Sequence, residues 1–222
     1  MRNALAIFAK APVVGQVKTR LCPPLSPEQA TELYRCFLAD TVARACTFPD
    51  IQVCLAITPA ESDPLFRELL PFPVRYLPQR GESLGEREMN IFIDLLDEGF
   101  THVVIIGSDI PTLPITHLQE AFRKLENPAC DAVFGPSSDG GYYLIGAKAV
   151  HPALFENISW STSEVLDQTL AQARRHRLNV SLISSWYDVD TEEDLHKLAT
   201  ELRCGNADGA LRTRAYLKTL GW

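Results

Sequence analysis

"VVIIGSDIPTL", residues 103–113, decides how the chain reads. Four apolar β-branched residues run into Gly107, then Asp109, then Pro111. A short apolar run closed by Gly, Asp and Pro reads as a strand buried on both faces that ends in a turn. Helical patterns flank it on both sides: "SLGEREMNIFIDLLDEGF" (83–100) before and "PITHLQEAFRKLE" (114–126) after. A strand set between two helices is the unit of a parallel sheet covered by helices.

The same alternation extends to both ends. Strands are expected at 4–9, 51–58, 74–78, 102–107, 131–136, 142–147 and 179–184. Helices are expected at 26–45, 62–70, 83–100, 114–126, 161–176 and 191–203, with a short one over 208–219. Ser26, Pro27 and Gln29 form a start signal with a capping box, and Ser161/Glu164 and Thr191/Asp194 have related spacing. The expected fold class is α/β, with a mainly parallel sheet and ligands bound beyond the C-terminal ends of strands. The 222 residues, 46% of them hydrophobic, suffice for one sizeable core, so residues 1–222 are read as one domain.

Composition excludes several classes. A formal net charge of −7 argues against a surface that coats nucleic acid. No apolar stretch approaches the ~20 residues of a membrane span. Six cysteines lie at 22, 36, 46, 54, 130 and 204 without C-x-x-C pairs. They read as reduced and structural, which together with the lack of a secretory signal points to the cytoplasm. The five histidines show no catalytic pairing and are assigned to surface or edge positions.

Four loops that follow strands carry candidate chemistry. "FAKAPVVGQVKTRL" (8–21) holds Lys10, Gly15, Lys18 and Arg20. An extended segment would point Lys18 and Arg20 to one side, where a compact ammonium and a planar guanidinium suit a polyphosphate. A solvated surface loop is the plain alternative, and the P-loop spacing is absent. Asp109, at the end of the opening strand, suits Mg²⁺, which takes one or two carboxylates plus phosphates; a turn or helix cap is its common other role. "GPSSDGGYYLIG" (135–146) places Asp139, Gly140 and Gly141 in a hairpin turn or against a substrate. At most one of Tyr142 and Tyr143 lines a pocket there. "WYDVDTEEDL" (186–195) offers Asp188 and Asp190, and Asp190 or Thr191 caps the next helix.

The segments "FAKAPVVGQVKTRL", "QRGESLGERE", "GSDIPTL", "GPSSDGGYYLIG", "SWSTSEVL" and "DVDTEEDL" resemble the DUF2064 family, in order and over nearly the whole chain. That family falls in the nucleotide-diphospho-sugar transferase (GT-A) superfamily and is also similar to 2-phospho-L-lactate guanylyltransferase. The resemblance implies a Rossmann-like, mostly parallel mixed sheet with one reversed strand, flanked by helices. It implies that Lys18 and Arg20 grip nucleotide phosphates, that Asp109 and Asp190 bind Mg²⁺ or Mn²⁺, and that Asp139, Gly140 and Gly141 form a substrate-side turn. Gln79, Gly81 and Arg87 keep the nucleotide-side motif. Glu88 departs from it, because the family's Met is displaced here to Met89.

The implied enzyme is a transferase in which Lys18, Arg20 and Asp109 are catalytic and Lys10 and Gly15 join the nucleotide loop. Its partners are a nucleotide or nucleotide-sugar and a small acceptor, with neither nucleic acid nor membrane, and a homodimer is compatible. The reading leans to glycosyl transfer from a nucleotide-sugar. Its alternatives are nucleotidyl transfer with release of pyrophosphate, and a non-catalytic nucleotide sensor.

Overall fold

A computed structural model describes residues 2–205 and 209–222. Seven strands form one sheet: β1 (Asn3–Lys10), β2 (Ile51–Thr58), β3 (Arg75–Pro78), β4 (His102–Gly107), β5 (Ala132–Pro136), β6 (Tyr142–Ala147) and β7 (Val180–Leu182). Their order is β3-β2-β1-β4-β6-β5-β7. All neighbours are parallel except β6, which runs antiparallel to both β4 and β5. This is the mixed sheet with one reversed strand that the resemblance implies. The Asp139–Gly140 turn reverses the chain between β5 and β6.

Helices cover both faces: α1 (Pro27–Ala45), α2 (Asp63–Leu69), α3 (Leu84–Asp97), α4 (Ile115–Leu125), α5 (Val165–Arg175), α6 (Glu192–Arg203) and α7 (Leu211–Thr219). Strand side chains alternate between the two. Leu5, Ile7, Val104 and Ile106 meet Leu38 and Val42 of α1 and Leu118 and Phe122 of α4. Ala4, Ala6, Val103 and Ile105 meet Ile91, Phe92 and Leu95 of α3. Each large aliphatic buried this way contributes about 1.5–3 kcal/mol. A third cluster joins Leu33 and Phe37 of α1 to Leu195 and Leu198 of α6 and Leu217 of α7, with Leu21 and Val189 between them. It anchors the loop after β1 and the segment before α6 in the same place. Among the described residues, no helix is long and apolar enough to cross a membrane.

Most expected elements occur within a few residues of their expected limits, with three corrections. The helix expected over 161–176 starts at Val165. Ser161 takes a left-handed φ of 64°, and Thr162 Oγ1 donates to the Ser159 carbonyl, so 159–164 is a folded turn and Ser161 is no cap. The tail helix spans Leu211–Thr219, and residue 208 of its expected range lies outside the described residues. His102 and His117 are buried, contrary to the assignment of all five histidines to surface or edge positions. His117 Nδ1 pairs with the Tyr143 hydroxyl at 2.9 Å and its ring meets Trp186 edge-on. A polar ring so partnered tolerates burial.

Topology places the site. The chain steps outward from β1 to β2 to β3, then returns to lay β4 on the other side of β1. The loops leaving β1 and β4 therefore diverge and open a crevice at their C-terminal ends, where Phe8 is level with Gly107.

Candidate active site

Lys18 is the hub. Its Nζ lies 2.5 Å from Asp109 Oδ2 and 2.6 Å from Asp190 Oδ1, and its side chain is only 6% exposed. Arg20 Nη1 is 3.7 Å from the other oxygen of Asp190. The segment is not extended, as the two-apart spacing suggested. Lys18 adopts a left-handed φ of 49° and leads into a 3₁₀ turn over Thr19–Leu21. Leu21, fully buried against α1 and α6, pins that turn, and Lys18 and Arg20 still converge on Asp190.

The other elements bring their groups to the same point. β4 delivers Asp109 just past its end, and α4 has Pro114 as its N-cap with no side-chain cap bond, so Asp109 is not spent on capping that helix. Thr191 caps α6 in a capping box with Asp194, which leaves the Asp190 carboxylate for Lys18 and Arg20. Tyr34 of α1 ties the ends of β1 and β4 together: its hydroxyl pairs with Ser108 Oγ at 3.0 Å and accepts from the Lys10 N–H at 3.1 Å. Asp188 accepts from Ser137 Oγ at 2.8 Å. Gly107 makes the crowding possible, because a Cβ there would lie 2.8 Å from Asp109 Oδ1 and 3.7 Å from Asp188 Oδ1.

Protonation follows the packing. Burial works against the Lys18 ammonium, but the charges of Asp109 and Asp190 outweigh it and raise its pKa well above the ordinary value. Burial also opposes the Asp190 carboxylate, and Lys18 more than offsets it, so that pKa is lowered. Asp188 goes the other way: burial, then the nearby Asp109 charge, push it up to about 7. Asp109 and Asp190 present hard carboxylate oxygens at one point, the donor type that Mg²⁺ takes. Among the described residues, no three His, Cys, Asp or Glu groups are grouped so as to hold a metal by themselves. Mg²⁺ does not require that, since it binds through one or two carboxylates plus waters and phosphates.

Two clefts meet at this hub. The first, about 410 Å³, is lined by Lys10, Lys18, Arg20, Gln79, Arg87 and Asp109. The second, about 530 Å³, is lined by Arg20, Asp139, Trp160, Ser161, Asp188 and Asp190. Leu84, at the start of α3, Arg20 and Asp190 border both. A chamber of about 110 Å³ lies beside Gly107 and Asp188, with Glu88 and Tyr142 in its wall. A larger cavity of about 800 Å³ near Trp186 and Lys197 borders none of the hub residues.

Most sequence-assigned residues assemble here, but not all as expected. Gln79 lines the first cleft, while its side-chain amide donates to the Ala56 carbonyl at 2.7 Å. Lys10 Nζ donates to the Gln16 carbonyl and braces the loop. Gly15 and Gly81 stand outside the lining; the Gly81 carbonyl accepts from Arg87 Nε at 2.9 Å and orients that guanidinium. Asp139 accepts from the Gly141 N–H, and Gly141 borders the second cleft. Gly140 has a φ of 90° and approaches so closely that a Cβ would lie 2.0 Å from the Ser163 carbonyl oxygen. It fastens the turn to the start of α5, where the Leu166 N–H donates to its carbonyl.

Sequence reasoning gave no role to Tyr34 or Glu88. Glu88 is buried in the apolar face of α3, and the Tyr142 hydroxyl donates to its Oε2 at 2.6 Å. Burial raises the Glu88 pKa to about 8. The signal was present: Leu84, Glu88, Ile91 and Leu95 share one helical stripe, so a carboxyl stands where an apolar side chain belongs.

Comparisons with known proteins agree with the fold. The profile of the family described as "Uncharacterized protein conserved in bacteria (DUF2064)" matches residues 41–162. A 2-phospho-L-lactate guanylyltransferase from Methanothermobacter thermautotrophicus is 26% identical over 185 residues, 82% of this chain and 78% of that protein. A crystal structure from Desulfovibrio desulfuricans G20, provisionally described as a nucleotide-diphospho-sugar transferase, is 33% identical with a TM-score of 0.88; the match covers 98% of this chain and 94% of that one. A CMP:2-keto-3-deoxy-manno-octonic acid synthetase complexed with CTP is similar in fold alone, at a TM-score of 0.60 and 11% identity over 92% of this chain and 100% of that one.

Proposed function

This chain belongs to the bacterial DUF2064 family, and on that premise we propose that it is a transferase that moves a nucleotidyl group from a nucleoside triphosphate to a small acceptor. The observation that carries the reading is the junction of the two clefts at Lys18, Arg20, Asp109 and Asp190. The first cleft gathers Lys10, Lys18, Arg20 and Arg87, and a triphosphate demands more positive charge than a diphosphate-sugar does. The guanylyltransferase relative supports the same branch. Together these move the balance from glycosyl transfer, which the sequence reading favoured, to nucleotidyl transfer.

In this mechanism the triphosphate lies in the first cleft, held by Lys18, Arg20 and Arg87, with Gln79 in the wall. The acceptor occupies the second cleft, bounded by the Asp139–Gly141 turn. An acceptor oxygen attacks the α-phosphorus in line. The new P–O bond forms as the α–β bridging P–O bond breaks, and pyrophosphate leaves with the electron pair. Arg20, at the border of both clefts, stabilises charge on the transferring group. Asp109 and Asp190 are the residues that would hold Mg²⁺ or Mn²⁺, which when bound neutralises phosphate charge. The chain's remaining work is positioning and electrostatics. Six free cysteines suit a reducing cytoplasm.

A second reading, glycosyl transfer, draws on the description of the 33% identical Desulfovibrio structure and on the Trp160 and Ser161 surface of the second cleft. A thermal-shift screen of nucleoside triphosphates and nucleotide-sugars, each with and without Mn²⁺, separates the two. Stabilisation by a triphosphate, followed by pyrophosphate release with a small acceptor, is the expected result. Stabilisation by nucleotide-sugars alone replaces the first reading with the second. Binding that ignores Mn²⁺ and yields no turnover favours a sensor.

A further inference from the structure

Lys18 is asked to do two things with one ammonium. As the central cation of the first cleft it must reach nucleotide phosphates. Yet two of its three N–H donors are directed at Asp109 Oδ2 and Asp190 Oδ1, at 2.5 and 2.6 Å. Mg²⁺ needs such oxygens at about 2.0–2.1 Å, so an ammonium and a divalent ion cannot share them without strong repulsion at short range. With the Lys18 side chain only 6% exposed, water does little to screen that conflict.

We propose that the Lys18 ammonium is a placeholder for the metal: it competes with the divalent ion for Asp109 and Asp190, so metal and nucleotide load together as phosphates draw Lys18 away. The inference rests on the reading of those two aspartates as metal carboxylates. The device suits lysine. Its charge rides on a flexible four-carbon stem, so the ammonium can change partners while the backbone stays put. The backbone here is anchored from behind, because Leu21 is fully buried and the turn over Thr19–Leu21 is fixed to α1 and α6. Arg20 already contacts Asp190 and borders both clefts, so it keeps partial compensation on that carboxylate while Lys18 moves. The placeholder also has a reason to exist. Asp109 and Asp190 converge from distant parts of the chain, and without a cation between them their charges repel.

The test is Mn²⁺ binding followed by electron paramagnetic resonance, on the full chain and its K18M variant. Without nucleotide, K18M is expected to bind Mn²⁺ about tenfold or more tightly than the wild type, since a site filled nine-tenths of the time by its own ammonium loses about that factor. Lys18→Arg, which keeps a cation, is expected to stay near the wild type. Adding the triphosphate that gives the largest thermal shift should tighten Mn²⁺ binding strongly in the wild type and much less in K18M. Equal Mn²⁺ affinity of wild type and K18M without nucleotide, with nucleotide-dependent uptake intact, overturns the placeholder alone. Failure of both proteins to take up Mn²⁺ under any condition, while triphosphate still binds, overturns the metal reading beneath it. Far-UV circular dichroism checks the fold, and Lys18→Gln, which keeps donors without the charge, supplies the second measurement.

Discussion

The two clefts share a border but not a chemistry. The first gathers Lys10, Lys18, Arg20 and Arg87 on the side of the parallel strands β1, β2 and β4. The second gathers Asp139 and Asp188 beside the reversed strand β6, with Arg20 as its cation and Asp190 shared with the first. One is built to hold anionic charge, while the other presents acids, hydroxyls and the Trp160 ring. The difference teaches that reversing one strand brings a second set of loops against the same crevice. A donor and an acceptor can then face each other across a single group of charged residues.

The largest break in that comparison is at the shared border. Asp109→Ala should leave the circular dichroism spectrum intact and lower metal-dependent pyrophosphate release by about 10³-fold, comparable to losing a key transition-state charge partner. Unchanged release removes Asp109 from the mechanism.

Next comes a change confined to the acceptor side. Gly140→Ala puts a Cβ 2.0 Å from the Ser163 carbonyl oxygen at a φ of 90°. A loss of about 2 kcal/mol or more in urea unfolding is expected. Stabilisation by triphosphate should persist, because the first cleft is untouched; its loss would show that the clefts are mechanically one.

The smallest effect sharpens the contrast at the chamber between them. Burial raises the Glu88 pKa to about 8 from an ordinary 4.5. The folded chain thus binds a proton there that the unfolded chain has released, so between those values stability falls as pH rises, levelling off above the upper one. Calorimetry from pH 5 to pH 8 should show Tm of the Glu88→Gln variant falling measurably less steeply than that of the wild type. Parallel curves would mean that Glu88 is solvated and free to ionise.

Much of this architecture was legible locally. The capping box at Ser26, Pro27 and Gln29 starts α1 as the sequence pattern predicts, with the Gln29 N–H donating to Ser26 Oγ. The apolar run of 103–106 and the alternation of helices and strands placed β4 in the core of an α/β sheet, and the strand-end rule pointed to Lys18, Arg20, Asp109 and Asp190. Local signals failed where the backbone departed from regular torsions. The left-handed φ at Lys18 and Ser161 broke an expected extended segment and an expected helix start. Tyr34 and Glu88 went unassigned because periodicity marks a residue as inward-facing without saying what it meets.

Hydrophobic period, caps and turn residues within short windows set the order and type of the elements and marked which polar residues stand at strand ends. Only the tertiary structure decided that Lys18 stands between carboxylates 91 and 172 residues away, and that Glu88 meets Tyr142. Those meetings depend on strand order, register and the reversed β6, which bring side chains together through space with no local trace in the chain.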